Sequence, residues 1–266
     1  MATAVLGGGG AAWADNGSPG PQPNPANVST ADGTVTPAAA IDTTVESKFT
    51  PISPCRIIDT RAGGGRLGVA TRSFVAAGTT GFVAQGGNAS GCGIPEAATA
   101  IQMSVVAVTA STNGYLVAYP DNVATPKATF MGYTKSYNTT GSGVVPLDTP
   151  GEFDFKITNY AASVHLVVDV QGYYIKPMWA FFDGYNGTLA RGSRVVAAGR
   201  VSGSPGWYEI TFDRDVSKCT YNATSYSIGH TLEAQPRVAK PNAVWVATAN
   251  NSGAYADQSF HLTVTC

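Results

Sequence analysis

The sequence is poor in charged residues. Only 12% of its 266 residues are Asp, Glu, Lys or Arg, about half of the ~25% that is usual in soluble domains. The formal net charge is −1, and no segment is strongly basic, so neither a nucleic acid nor an anionic membrane surface is an expected partner. No stretch approaches the roughly 18 consecutive apolar residues of a membrane helix, so no membrane span is predicted.

Residues that bind metals or carry out catalysis are also scarce. The chain has only 3 histidines and no Cys-x-x-Cys pair, which excludes the usual spacing of a zinc site. Asp183, Asp213 and Asp215 could offer oxygen ligands to Ca²⁺, but their spacing differs from that of a calcium-binding loop. Paired surface charges around Arg214 explain them better. We therefore predict no metal, no cofactor, no catalytic residue and no enzymatic activity.

Helical periodicity is absent as well, and short β-type segments take its place. Runs rich in Val, Ile, Thr and aromatic residues follow one another from Phe49 to Ile175, separated by Gly, Asn and Pro turns. Pro177 interrupts strand pairing, and the residues after it form similar short β-type runs. Seven or more short strands in about 125 residues are typical of a sandwich or jelly roll. We predict an all-β fold with two antiparallel β-sandwich or jelly-roll-like domains, 49–176 and 177–266.

The N-terminal segment has a different composition. Residues 1–14 end in Ala12-Trp13-Ala14, an A-x-A pattern that signal peptidase recognises, and we interpret them as the remnant of a signal peptide. The basic region of a signal peptide is missing, which leaves an ordinary N-terminus as the alternative. Residues 15–40 are a linker rich in Pro, Gly and Ala, with too little apolar surface to fold alone.

Strict period-two alternation begins after this linker. In residues 41–49 the odd positions include Ile41, Val45 and Phe49, and the even positions are polar or charged. This pattern predicts one amphipathic strand at the end of an extended arm, 15–48. The strand either begins the first domain or adds to the sheet of another copy.

The four cysteines are spaced widely along the chain. An even number at wide spacing favours two disulfides formed in an oxidising compartment, so we expect an extracellular or cell-surface protein. Of the three possible pairings, Cys55–Cys92 and Cys219–Cys266 are favoured because each lies within one predicted domain. Alternation in the last strand places Cys266 on the same face as Phe260, so we expect Cys266 to point into the core.

The segment PCRIIDTRAGGG, residues 54–65, raises the alternative of a reactive thiol. A nucleophilic Cys55 would need a lowered pKa and a general base, for which His165 is a remote candidate. As half of a disulfide, Cys55 instead closes a loop of about 38 residues, a constraint of about 4 kcal/mol in the chain-entropy model. We favour the disulfide.

The charged residues of the same segment allow two interpretations. A catalytic interpretation pairs Asp59 with a second acid, Asp169. The structural interpretation is that Asp169, inside the apolar run HLVVDVQGYY, is buried and needs the guanidinium of Arg56 or Arg61. We favour a structural ion-pair network of these four residues and expect loss of Asp169 to cost a few kcal/mol.

Three motifs in order carry a resemblance to a known family. SPCRIIDTR, GCGIPEAATAIQMSVVAVTASTNGYLVAYP and VHLVVDVQGYYI resemble the PCRxxDTR-type β domain of secreted bacterial proteins, over residues 49–175. The segment MGYTKSYNTTGSGVVPL departs from that pattern. The resemblance implies an exported β domain without catalytic residues. The second half, with TFDRDVSKCTYNAT and SFHLTVTC, resembles another small module of secreted bacterial proteins.

These observations favour a non-enzymatic secreted structural protein. We predict a self-assembling subunit of an extracellular filament or surface layer, in which the N-terminal strand adds to a neighbouring copy. The alternative is an adhesin or carbohydrate-binding module, with a glycan or cell-surface polymer as partner.

Trp207 and Tyr208 cannot both point inward, so one of them is expected to be exposed. The candidate aromatic platform for such a module comprises Tyr115, Tyr119, Tyr133, Tyr137, Trp207 and Trp245.

Overall fold

A computed structural model of the chain describes residues 45–266. These residues form sixteen strands in four antiparallel sheets, and the only helical segment among them is a 3-10 turn at Val83–Gln85. The all-β prediction is therefore confirmed. The strands are β1 Lys48–Asp59, β2 Thr71–Phe74, β3 Ala98–Val108, β4 Gly114–Pro120, β5 Met131–Tyr133, β6 Thr139–Pro146, β7 Phe155–Asn159, β8 His165–Ile175, β9 Met178–Asp183, β10 Thr188–Ser193, β11 Val195–Arg200, β12 Trp207–Phe212, β13 Thr220–Ser225, β14 Thr231–Pro236, β15 Ala243–Ala249 and β16 Phe260–Thr265.

The first eight strands form one sandwich. One sheet has the order β1-β8-β3-β6 and the other has the order β2-β7-β4-β5. Apolar side chains of both sheets meet in a single core, because alternate residues of each strand point to the same face. Complete burial of each large side chain in this core, such as Phe74, Ile101 or Phe155, contributes about 1.5–3 kcal/mol.

The last eight strands form a second sandwich. Its sheets have the orders β10-β9-β16-β13 and β11-β12-β15-β14, and they enclose a separate apolar core. Phe260, Leu262 and Val264 of β16 point into this core, as the alternation predicts. Cys266 does not, because β16 ends at Thr265 and the next residue lies exposed beyond the core. The expectation that Cys266 is buried is wrong.

Trp207 and Tyr208 do point to opposite faces of β12, but neither is exposed. Tyr208 is fully buried in the second core. Trp207 is 6% exposed, because a small apolar cluster covers the outer face of this sheet. In that cluster Trp207 contacts the rings of Trp245 and Tyr255, with centroids 5.5 and 5.1 Å away. The expected exposed aromatic residue is absent from this pair because the sheet is covered on both faces.

Both predicted disulfides are present. Cys55–Cys92 joins β1 to the segment that follows the 3-10 turn, at a sequence separation of 37. Cys219–Cys266 joins the residue before β13 to the residue after β16, and the two strands are hydrogen-bonded neighbours from Thr220–Thr265 onward. Each disulfide therefore constrains one sandwich.

Removing either disulfide is expected to cost similar stability. The sequence separations of 37 and 47 residues correspond to about 4 kcal/mol each, because loop-closure entropy depends only logarithmically on loop length. The measurement is urea unfolding of the full chain with Cys55→Ser/Cys92→Ser or Cys219→Ser/Cys266→Ser. The wild type under reducing conditions is the control. Variants that unfold at the same urea concentration as the oxidised wild type would contradict the expectation.

Candidate functional site

The charged residues of the PCRIIDTR segment lie at the end of β1, beside β8. Arg56 is opposite Asp169 in the β1–β8 register. Its Nε and Nη2 donate to Oδ1 and Oδ2 of Asp169 at 3.0 and 3.2 Å, which is a two-point contact. The side chains are 44% and 28% exposed, however. Asp169 is therefore not buried as expected, because it points to the outer face of the sheet.

The buried carboxylate of this cluster is Asp59. It is only 8% exposed, and its oxygens accept hydrogen bonds from Nε and Nη2 of Arg61 at 2.8 and 2.6 Å. The backbone N–H of Arg61 also donates to Oδ1 at 3.1 Å, and Nη1 of Arg56 lies 3.5 Å from Oδ2. The hydrogen bond from Arg61 is the main reason that the pKa of Asp59 is lowered, although burial opposes it. Asp59 thus fixes the turn that follows β1.

Thr60 and His165 form a hydroxyl–imidazole pair beside Asp59. The Thr60 hydroxyl oxygen accepts the backbone N–H of Leu166 at 2.9 Å and lies 3.0 Å from Nδ1 of His165. Desolvation, with a contribution from the nearby charge of Arg66, lowers the pKa of His165. Thr60 is only 1% exposed, and Cys55 is oxidised. The pair therefore joins β1 to β8 and does not present a nucleophile to solvent.

A covering loop, residues 82–92, lies along the outer edge of the C-terminal half of β1, from Cys55 to Asp59. The buried side chain of Gln85 donates to the carbonyl of Ile57 at 2.8 Å, and the N–H of Asn88 donates to the carbonyl of Arg56 at 2.9 Å. A Cβ at Gly87 would collide with the backbone of Ile57. Because the loop approaches the strand so closely, it occupies hydrogen-bonding groups that an edge strand otherwise exposes.

A second buried carboxylate, Asp154, was not anticipated. It is 5% exposed, and its Oδ2 accepts the backbone N–H groups of Ala76 and Ala77 at 2.6 and 2.8 Å. Burial raises its pKa, although the two amides oppose this. The carboxylate therefore holds the segment after β2, and it is closed to any substrate.

The three aspartates considered as calcium ligands serve separate partners. Asp213 accepts three short hydrogen bonds from Arg194, and Asp183 and Asp215 accept hydrogen bonds from residues of their own turns. The expected pairing around Arg214 is therefore wrong for Asp213, because Arg194 takes that position. In residues 45–266 no three His, Cys, Asp or Glu side chains are grouped to hold a metal ion.

The six aromatic residues of the candidate platform do not meet in one place. Four of them, Tyr119, Tyr133, Trp207 and Trp245, are buried. Tyr137 is 73% exposed in the β5–β6 turn. Tyr115 is 41% exposed and stacks on Tyr160, a residue that the sequence analysis did not single out.

The N-terminal strand is shorter within this sandwich than the alternation predicts. Ile41 lies outside the described residues, and Val45 is half-buried ahead of β1, which begins at Lys48. Phe49 lies in β1 opposite Tyr174 of the same chain, and the two ring centroids are 5.2 Å apart. Phe49 is therefore engaged within its own sandwich.

β6 is the opposite edge of the same sheet, and no other strand of the described residues pairs with its outer side. It pairs with β3 over eight consecutive residues without a bulge, and its backbone hydrogen-bonds to no other segment of 45–266. Its sequence, TTGSGVVP, contains no charge. A long, regular, uncharged edge is a site where another strand can pair.

Comparisons with known proteins add no assignment. No protein-family model matches the chain, and no curated protein is detectably similar to it. Within the part of the chain that the structure describes, no helix has the length and apolar content needed to cross a membrane.

Loss of Asp59 is expected to cost more than loss of Asp169. Asp59→Asn removes buried charge-assisted hydrogen bonds, a loss of about 2 kcal/mol. Asp169→Asn breaks a partly exposed ion pair, for which about 1 kcal/mol or less is expected, below the cost inferred from the sequence. Urea unfolding of the two variants at pH 7 checks the order. An equal or larger loss for Asp169→Asn would contradict it.

The stabilisation by Asp59 should also depend on pH. Because its pKa is lower in the folded state, the carboxylate stabilises the fold fully above its unfolded pKa of about 3.9. This contribution is lost as the pH falls through the folded pKa. The difference in unfolding free energy between wild type and Asp59→Asn should therefore be constant at neutral pH and shrink below pH ~4. A difference that persists unchanged in strong acid would show that ionisation is not its cause.

Proposed function

We propose that this chain is a non-enzymatic extracellular structural protein that assembles with copies of itself, and that β6 of one copy accepts the N-terminal arm of another. The observation that carries the proposal is the contrast between the two edges of one sheet. The 82–92 loop covers β1 from Cys55 to Asp59, and the rest of that edge is interrupted by two prolines and a bulge, whereas β6 is regular and hydrogen-bonds only to β3 in the described residues. Assembly through β6 would leave the fold of each copy unchanged.

The other edges are less suited to pairing. β2 and β5 have only four and three residues. β10 and β11 contain bulges, which twist an edge strand away from a partner. β14 carries the charged residue Glu233. β13 is regular and uncharged, but with six residues it is shorter than β6.

The arm has the properties of a donor strand. The alternating residues 41–47 precede β1, which begins at Lys48 opposite Ile175. These seven residues are one fewer than the eight of β6, and strand addition gains backbone hydrogen bonds without a preformed pocket. Because donor and acceptor are different surfaces, repeated addition gives an open filament unless the rotation closes into a ring.

Composition and disulfides are consistent with this proposal. A net charge of −1 gives copies little mutual repulsion, and two disulfides suit an oxidising compartment outside the cell. The resemblance of residues 49–175 to the PCRxxDTR-type β domain of secreted bacterial proteins supports export.

Two matched valines test the acceptor edge. Val144 on β6 is 47% exposed, and Val196 at the bulge of β11 is 48% exposed. A charge on a regular edge opposes strand pairing, so Val144→Lys should reduce assembly, whereas Val196→Lys should not. Val45→Asp in the arm should have the same effect as Val144→Lys. Sedimentation velocity and negative-stain electron microscopy measure the assembly, and circular dichroism verifies the fold.

The outcomes separate the parts of the proposal. A wild type that stays monomeric would overturn assembly itself. Polymers of Val144→Lys that match those of the wild type would exclude β6 as the acceptor. Unchanged polymers of Val45→Asp would exclude the arm as the donor.

A further inference from the structure

Tyr115 and Tyr160 form an exposed, parallel pair of rings on the first sandwich. Their centroids are 4.8 Å apart, the ring planes differ by 8°, and the residues are 41% and 45% exposed. Most other aromatic contacts in the described residues are tilted or belong to buried rings. A stacked pair that stays in solvent is therefore a distinct surface feature.

The pair is fixed by the sheet. The N–H of Tyr160 donates to the carbonyl of Tyr115 at 3.2 Å, which continues the β4–β7 register beyond Leu116–Asn159. Leu116 belongs to the core, so its neighbour Tyr115 points to the outer face. Cross-strand neighbours on one face lie close enough for their rings to stack.

One face of the Tyr115 ring remains uncovered. β4 lies between β7 and β5, so the residue on the other side of Tyr115 is Gly132 of β5. A Cβ built on Gly132 would meet only the carbonyl oxygen of Gly114, at 3.9 Å. Within the described residues the Cβ position of Gly132 is therefore open, and β5 is the edge of the sheet. Tyr115 and Gly132 together form a tyrosine notch, with the ring as its wall and the glycine backbone as its floor.

Neutral polar groups flank the tyrosine notch. Asn113 comes immediately before β4 and Thr134 immediately after β5, two residues away from Tyr115 and Gly132 respectively, and both are exposed. Oδ1 of Asn113 accepts the backbone N–H of Lys135 at 2.8 Å, which orients the amide. Its NH₂ group then remains available as a donor, and the exposed Thr134 offers a hydroxyl.

We propose that the tyrosine notch binds one pyranose ring of a neutral glycan, with the sugar against the free face of Tyr115 and its hydroxyls bonded to Asn113 and Thr134. The negative face of an aromatic ring attracts the C–H groups on one side of a pyranose. Tyr160 holds the Tyr115 ring upright from behind. This binding does not depend on the assembly of the chain.

A proline-rich peptide fits the geometry less well. Such peptides lie in grooves between aromatic side chains, but here the two rings stack directly on each other and leave no groove between them. A single free ring face beside an amide and a hydroxyl matches one sugar ring. The chain's own segment SPGPQPNP, residues 18–25, is the competing peptide to test.

Gly132→Val is the decisive variant, because it fills the tyrosine notch and leaves both rings in place. The added side chain has room, and valine suits a strand, so the fold should be unaffected. Gly199→Val on β11 is the matched control, since a Cβ there meets nothing within 4 Å and a valine has room at both positions. The probes are cellohexaose, chitohexaose and mannohexaose, titrated into the full chain and followed by ligand-observed NMR and calorimetry.

We expect the wild type and Gly199→Val to bind at least one hexasaccharide with a Kd in the millimolar range, as suits a single-ring contact. Gly132→Val and Tyr115→Ala should abolish binding, and Tyr160→Ala should weaken it about tenfold through loss of the stack. Failure of all three sugars to bind would overturn the proposal. Equal binding by Gly132→Val, or displacement of the sugar by the 18–25 peptide at lower concentration, would also overturn it.

Discussion

Contact between the 82–92 loop and the outer edge of β1 determines which surfaces of the first sandwich are free. The loop satisfies carbonyl groups of Arg56 and Ile57, and the Cys55–Cys92 bond holds it there. Without it, the C-terminal half of β1 would present unpaired backbone groups at the sheet edge. The buried Asp59 fixes the turn at the end of the same strand, so the motif PCRIIDTR closes an edge and orders the chain that leaves it.

The alternation of the sequence predicted much of this architecture, because a strand with one buried face leaves a period of two. In β9 and β16 buried and less buried positions alternate strictly. TYNATS and TLEAQP, which form β13 and β14, carry little of that pattern because they have few apolar residues, and Pro51 and Pro54 interrupt it in β1, where an edge strand tolerates proline. The disulfides were predictable because each predicted domain contains two cysteines, and these two pair with each other.

The candidate sites were harder to predict, since they depend on which residues meet across strands. Tyr160 lies just after β7, and the sequence around it does not indicate its partner. Its stacking on Tyr115 follows from the β4–β7 register. Gly132 matters only because it lies opposite Tyr115. Asp169 was expected to be buried because its sequence neighbours are apolar, yet it lies on the outer face where Arg56 reaches it. The apolar pattern of a sequence predicts that a strand is buried, but it does not predict which face of the sheet is covered.

The covered edge of β1 has a consequence for the number of connections that each molecule can make. The Cys55–Cys92 bond and the hydrogen bonds of Gln85 and Asn88 together hold the loop over the C-terminal half of that strand, while β6 hydrogen-bonds only to β3 in the described residues. On the assembly that we propose, each copy would therefore offer one regular acceptor edge in this sheet, and a subunit with one acceptor and one donor polymerises into an unbranched chain.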